Sequence, residues 1–153
     1  MVSLTATPDP VTSVFDYWSA NATGGQVTME GNQTVTAYFD LRTFNVTFTA
    51  GANGTLEDNA GNQSDTFTQA VKYGYASTIV YAIADAHHHF TEWTGDATGT
   101  VSEITVSNVT ADMSITANFE IDTYVLRFTG GNFGDVEVGG TVYHEYEEIV
   151  PWS

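Results

Sequence analysis

Along most of the chain, apolar and polar residues alternate one by one. In Phe44-Asn45-Val46-Thr47-Phe48-Thr49 the apolar side chains fall on one face and the polar ones on the other, as in a half-buried strand. The same alternation predicts strands over about 66–73, 78–84, 101–106 and 113–120, and nearer the ends over about 2–7, 26–29, 33–40, 123–129 and 136–146. Gly/Asn/Asp clusters punctuate them: Gly51, Asn53 and Gly54, then Asp58–Asn62, Gly95–Gly99, and Gly130, Gly131, Asn132 and Gly134. The only helical candidate is a short turn near Thr66–Val71. The pattern is that of an all-β protein with many turns, which the abundance of Thr, Ser, Gly and Asn suits.

The alternation also repeats. Thr43-Phe44-Asn45-Val46-Thr47-Phe48-Thr49-Ala50-Gly51 returns 80 residues on as Thr123-Tyr124-Val125-Leu126-Arg127-Phe128-Thr129-Gly130-Gly131. Val35-Thr36-Ala37-Tyr38-Phe39 returns as Ile115-Thr116-Ala117-Asn118-Phe119, and Phe15-Asp16-Tyr17-Trp18 as Phe90-Thr91-Glu92-Trp93. A fixed period marks tandem units rather than one large domain. The predicted division is the back half of a unit at 1–42, a complete unit at 43–122, and the front half of another at 123–153. The two end pieces together nearly make one unit. Either they belong to a longer array, or the tail of one copy completes the head of the next by strand complementation. The second arrangement is heterologous and propagates as a filament.

Phe15, Trp18, Phe39, Phe90, Trp93 and Phe119 are the expected core, because large aromatics remove the most surface from water. A sugar-stacking platform is the functional alternative for the tryptophans. Trp152 has no evident place.

These motifs resemble a family of bacterial cell-surface repeats, the divergent internalin-B B-repeats, relatives of the Listeria–Bacteroides repeat. The resemblance rests on Leu4-Thr5-Ala6-Thr7-Pro8, Phe15-Asp16-Tyr17-Trp18 and Val35-Thr36-Ala37-Tyr38-Phe39, and on Phe90-Thr91-Glu92-Trp93-Thr94-Gly95 and Ile115-Thr116-Ala117-Asn118-Phe119. Ala84-Asp85-Ala86-His87-His88-His89 departs from the family's Pro-containing turn. The resemblance implies an extracellular or cell-surface tandem module, β-grasp-like, whose partners are adjacent modules or neighbouring copies. It carries no catalytic residues to transfer.

Charge narrows the partners. Against 19 acids stand only Arg42, Lys72 and Arg127, a formal net charge of −16. Such a surface repels nucleic acid and anionic membranes. There is no cysteine, and no apolar run reaches the roughly 18 residues of a membrane span. The start, Met1-Val2-Ser3-Leu4-Thr5, reads as mid-module sequence rather than a signal peptide, so any export signal is expected elsewhere in a longer parent. Six asparagines sit in Asn-x-Ser/Thr: Asn21, Asn32, Asn45, Asn53, Asn62 and Asn108, candidate glycosylation sites on an exposed surface.

Two clusters have metal-ligand chemistry. His87 and His89 would share a face of an extended segment, with Glu92 beyond, a set suited to Zn, Ni or Cu; an exposed polar turn is the plainer alternative. The acidic loop Glu57-Asp58-Asn59-Ala60-Gly61-Asn62 with Asp65 has the oxygens that calcium takes, without EF-hand spacing. Glu145, Glu147 and Glu148 form a further acidic group. No Gly-x-Ser-x-Gly, phosphate loop or marked carboxylate pair occurs, so an enzyme is not expected. The leading expectation is a structural module of an adhesin stalk or filament, without a resident cofactor. The alternative is a module that binds glycans or another ligand.

Overall fold

The computed structural model describes the backbone of residues 1–129, 136–138, 141–143 and 145–151, and the side chains of 1–125 and 149–151. Four strands lie before Arg42: β1 (Val2–Ser3), β2 (Ser13–Trp18), β3 (Gln26–Val27) and β4 (Ala37–Leu41). Eight make a central unit: β5 (Thr43–Ala50), β6 (Gly54–Asp58), β7 (Gln63–Ser64), β8 (Thr66–Lys72), β9 (Val80–Ala84), β10 (His88–Gly95), β11 (Glu103–Ile104) and β12 (Met113–Ile121). Four follow Asp122: β13 (Thr123–Thr129), β14 (Val136–Val138), β15 (Thr141–Tyr143) and β16 (Glu145–Pro151).

No helix occurs among the described residues, and the protein is all-β. The turn expected near Thr66–Val71 is strand β8, paired with β5 from Thr43↔Lys72 to Thr49↔Thr66. Its burial alternates strictly, with Phe67, Gln69 and Val71 turned inward, so period two prevails over any local helical tendency. The strand expected over 101–106 shrinks to two residues, and β2, β6 and β10 occupy segments where alternation alone predicts none.

The central unit consists of two sheets. One runs β10-β12-β5-β8, with β12 and β5 parallel and the other pairs antiparallel. This is the strand order of a β-grasp sheet, with a second sheet, β11-β9-β6-β7, supplying the opposite side of the core in place of a helix. Val46, Phe48, Leu56, Val80, Trp93, Val109 and Ile115 are fully buried between them. Two glycines let the front of the unit close onto β12. A Cβ on Gly51 would lie 2.7 Å from the Ala117 oxygen that its amide donates to, and one on Gly54 would lie 2.4 Å from the Phe119 ring.

The first and last strands of the unit, β5 and β12, are thus parallel neighbours. Arg42 alone joins β4 to β5, Asp122 alone joins β12 to β13, and neither link contains a turn. The chain therefore leaves the central unit in the direction in which it arrived.

The flanking segments reproduce parts of this unit in register. Phe15↔Phe39, Tyr17↔Tyr38 and Trp18↔Ala37 repeat Phe90↔Phe119, Glu92↔Asn118 and Trp93↔Ala117, with a bulge at the same place. The β1–β3 pair repeats β9–β11. Beyond Asp122, β13 pairs with β16 from Thr123↔Pro151 to Thr129↔Glu145, as β5 pairs with β8. Tandem repetition is thus present in the backbone as well as in the sequence.

Candidate interface on the open N-terminal sheets

The central unit shows what its aromatic motif requires. The Trp93 indole N–H donates to the Val101 carbonyl at 2.9 Å. Its ring meets Phe48 edge-on at 6.4 Å and Phe90 at 5.5 Å, and Phe90 in turn meets Phe119 at 6.0 Å. Phe48 and Leu56 come from β5 and β6, so the front of the unit covers the aromatic group that its back supplies.

Residues 1–42 rebuild the aromatic group without the cover. Phe15 lies 5.3 Å from Trp18 and 6.0 Å from Phe39, spacings close to those of Phe90. Among the described residues β2 and β4 pair only with each other. The sequence expects Phe15, Trp18 and Phe39 in a core; among the described residues Phe15 is 36% and Phe39 45% exposed, and Trp18 is half-buried. Among the described residues no counterpart of β5 and β6 lies over them. What remains is an open groove of about 370 Å³ lined by Leu4, Ala6, Phe15, Trp18 and Gly25. By contrast Trp93 is fully buried, with Phe90 and Phe119 packed against the core.

The missing cover also shortens a strand. β12 begins at Met113 and pairs with β5 from Met113↔Val46 to Ala117↔Ala50. Its repeat β4 begins only at Ala37, and residues 33–36, which correspond to 113–116, have no strand structure. Backbone groups without a ladder partner turn to water or side chains: the Thr36 amide takes the Ser19 hydroxyl at 3.1 Å.

On the opposite face Tyr17 and Tyr38 stack at 4.5 Å, with planes 16° apart, and both are exposed. Their counterparts are Glu92 and Asn118, the latter bonded to the Glu92 carbonyl and the Thr94 hydroxyl. Sequence reading passed over this pair, because the bulge decides which residues oppose each other.

The metal-ligand candidates do not converge: no group of three or more His, Asp or Glu suited to a metal occurs among the described residues. His87 adopts a left-handed φ of 66° in a turn, which ends the extended run that would align it with His89. The His89 Nδ1 lies 2.9 Å from Asp122, and the His88 Nδ1 3.0 Å from the Ala86 oxygen. Asp58 is committed to its own loop, accepting from the Ala60 and Asn62 amides and from the Asn62 side chain at 2.8–2.9 Å. That side-chain bond, chiefly, holds its carboxyl below the usual range. Asp65 contributes its carbonyl to the Ala50 amide. The side chains of Glu145, Glu147 and Glu148, Trp152, and the turn at Gly130–Gly134 lie outside the described residues.

All six sequon asparagines are exposed. Asn53 and Asn108 occupy left-handed turn positions, with φ of 69° and 53°. Asn21 uses its amide on the Thr34 carbonyl at 2.7 Å, and Asn62 on Asp58.

The comparisons with known proteins agree with the repeated geometry. The divergent InlB B-repeat domain matches twice in succession, over residues 1–43 and 44–123. The chain belongs to this family, whose repeats are found in bacterial surface proteins and point to a structural module. No curated protein and no solved structure matches it. No helix among the described residues is long and apolar enough to cross a membrane.

Proposed function

We propose that this chain is a spacer segment of a bacterial surface protein, a stalk or filament in which each unit hands the chain on to the next in a constant direction. The observation that carries this reading is the parallel adjacency of β5 and β12, joined to the neighbouring segments by Arg42 and Asp122 alone. Units connected in this way extend along their strands. The nine residues of β12 correspond to about 30 Å at ~3.3 Å per residue. The acidic surface and exposed sequons suit an extracellular setting, where the asparagines would be open to glycosylation. The open sheets at residues 1–42 take their cover from a neighbouring unit, in the same chain or in another copy.

The test is length against number. In small-angle scattering and electron microscopy of chains with two, four and six units, the contour should grow by about 30 Å per unit. Compact clusters whose size grows only as the cube root of unit number would overturn the reading.

One observation favours a second reading, a glycan platform: the Tyr17–Tyr38 stack stands exposed where the central unit has Glu92 and Asn118. Aromatic faces of this kind suit sugar C–H groups. Saccharide titrations followed by NMR should then shift both tyrosines; unmoved resonances at millimolar sugar would remove this reading.

A further inference from the structure

We infer that the open groove of residues 1–42 is covered by β13 and β16 of a second copy of this chain, in one defined parallel register. The inference rests on the reading of these residues as part of a repeat unit, but not on the spacer role.

The occupant follows from complementarity. Inside the central unit, the back sheet is completed by β5 paired to β8, with Phe48 as the residue that meets Trp93. The chain carries a second version of that element. β13 and β16 hold the register of β5 and β8, and Phe128 repeats Phe48 in sequence. Gly131 and Gly134 repeat Gly51 and Gly54, the two positions where a side chain would collide with the back sheet. These glycines suit an element that seats against a back half.

Within one chain the two elements stay apart. β2 and β4 form one sheet, β13 and β16 another, and the central unit between them is already filled by its own two halves. Among the described strands β13–β16 is the element that matches β5–β8, so the occupant assigned is the β13–β16 of a second copy, its β13 lying parallel to residues 33–37. The register transfers directly from Ile115↔Phe48 and Thr116↔Thr49. It sets Val35 opposite Phe128 and Thr36 opposite Thr129. On pairing, residues 33–36 become strand, as residues 113–116 are in the central unit. Head-to-tail contact of this kind does not close, and it grows into a fibre. Like charge opposes it, because both end pieces are acidic; salt that shortens the screening length from ~30 Å at 0.01 M to ~3 Å at 1 M should favour growth.

The chain has no cysteine, so engineered thiols report cleanly. Thr36→Cys and Thr129→Cys chains are mixed in 1 M NaCl under mild oxidation and resolved without reductant. Strand neighbours at about 5 Å lie within disulfide reach. Facing thiols at an effective millimolar concentration should cross-link at least about tenfold faster than the off-register pair Thr36→Cys with Thr123→Cys. The double variant, Thr36→Cys with Thr129→Cys in one chain, should give a ladder. Sedimentation of the unsubstituted chain should show mass rising with concentration and salt.

Equal cross-linking of the two pairs would overturn the register. Predominant Thr36→Cys homodimers would overturn head-to-tail pairing in favour of a two-fold contact. Monomers at every concentration and salt would overturn the second copy as occupant. None of these outcomes touches the spacer reading, which rests on the parallel β5 and β12 and is tested by contour length.

Discussion

Residues 1–42 and residues 78–122 contain the same strands, the same bulge and the same aromatic trio, yet only the second trio packs into a core. Trp93 is fully enclosed while Trp18 borders a groove; Phe119 lies under Gly54 while Phe39 is 45% exposed. Strand pairing and the bulge therefore come from the back half itself, since they form with or without cover. Burial, and the first four residues of the last strand, come from the front half. Cooperation between the halves makes the unit, and it is the part of the comparison most open to experiment.

The largest effect should separate the two tryptophans. Trp93→Ala removes a fully buried indole and its bond to Val101, and should cost about 3–5 kcal/mol in urea unfolding of the central unit. Trp18→Ala, measured in dilute solution, should cost about 1 kcal/mol or less. Equal costs would break the comparison, because they would mean that Trp18 is covered within a single copy. Raising protein and salt concentration should bring the two costs together if a second copy supplies the cover.

A smaller effect isolates one contact between the halves. Gly54→Ala forces a methyl group into the Phe119 ring and should cost about 1–3 kcal/mol. Phe119→Ala should relieve most of that strain, so a double-mutant cycle should show strong coupling. The same cycle with Phe39→Ala should be additive, because among the described residues no glycine presses on that ring. Coupling between Gly54 and Phe39 would contradict the assignment of Phe39 to an open face.

Much of this was legible in the alternation. The strand at 43–50, its repeat at 123–129 and the final strand of the central unit follow from period two and from the 80-residue return. The Phe-x-x-Trp motif returns after 75 residues instead, and the difference is a longer excursion around β11 than around β3, invisible without the pairing. The exposure of Phe15 and Phe39 was not legible either. Their sequence is that of a core, and burial depends on which segment is present to cover them. The turn at His87 was not legible for a local reason: histidine tolerates a left-handed backbone, and composition does not signal when it adopts one. The Tyr17–Tyr38 stack required the bulge, which shifts the pairing by one residue and moves every later side chain to a new partner.

The smallest expected effect concerns the two joints. At the first, the Lys72 ammonium lies 2.7 and 2.9 Å from the Asp40 carboxylate, tying residues 1–42 to the central unit. At the second, Glu120 repeats Asp40 in sequence, but the strand position of Lys72 is taken by Pro151, and the contact is instead His89 with Asp122. The hydrogen bond from Lys72 is the main cause that holds the Asp40 carboxyl below its usual range, and the same bond raises Lys72. A depressed carboxyl contributes stability that is present above its ordinary value near 3.8 and is lost as pH falls through the lowered one. The raised ammonium contributes below its ordinary value near 10.5 and loses that contribution as pH rises through the higher one. Between these limits the first joint should be indifferent to pH. Both side chains are half open to water, so the pair holds an orientation more than it stabilises a fold. Asp40→Asn should leave urea unfolding of the central unit unchanged while relaxing the orientation of residues 1–42, read from residual dipolar couplings at pH 7. In the unsubstituted chain the same relaxation should appear only below the ordinary Asp range. An Asp40 carboxyl resonance that titrates at its ordinary value would show that the first joint is not tied by this pair, and the distinction between the two joints would then rest on Arg42 and Asp122 alone.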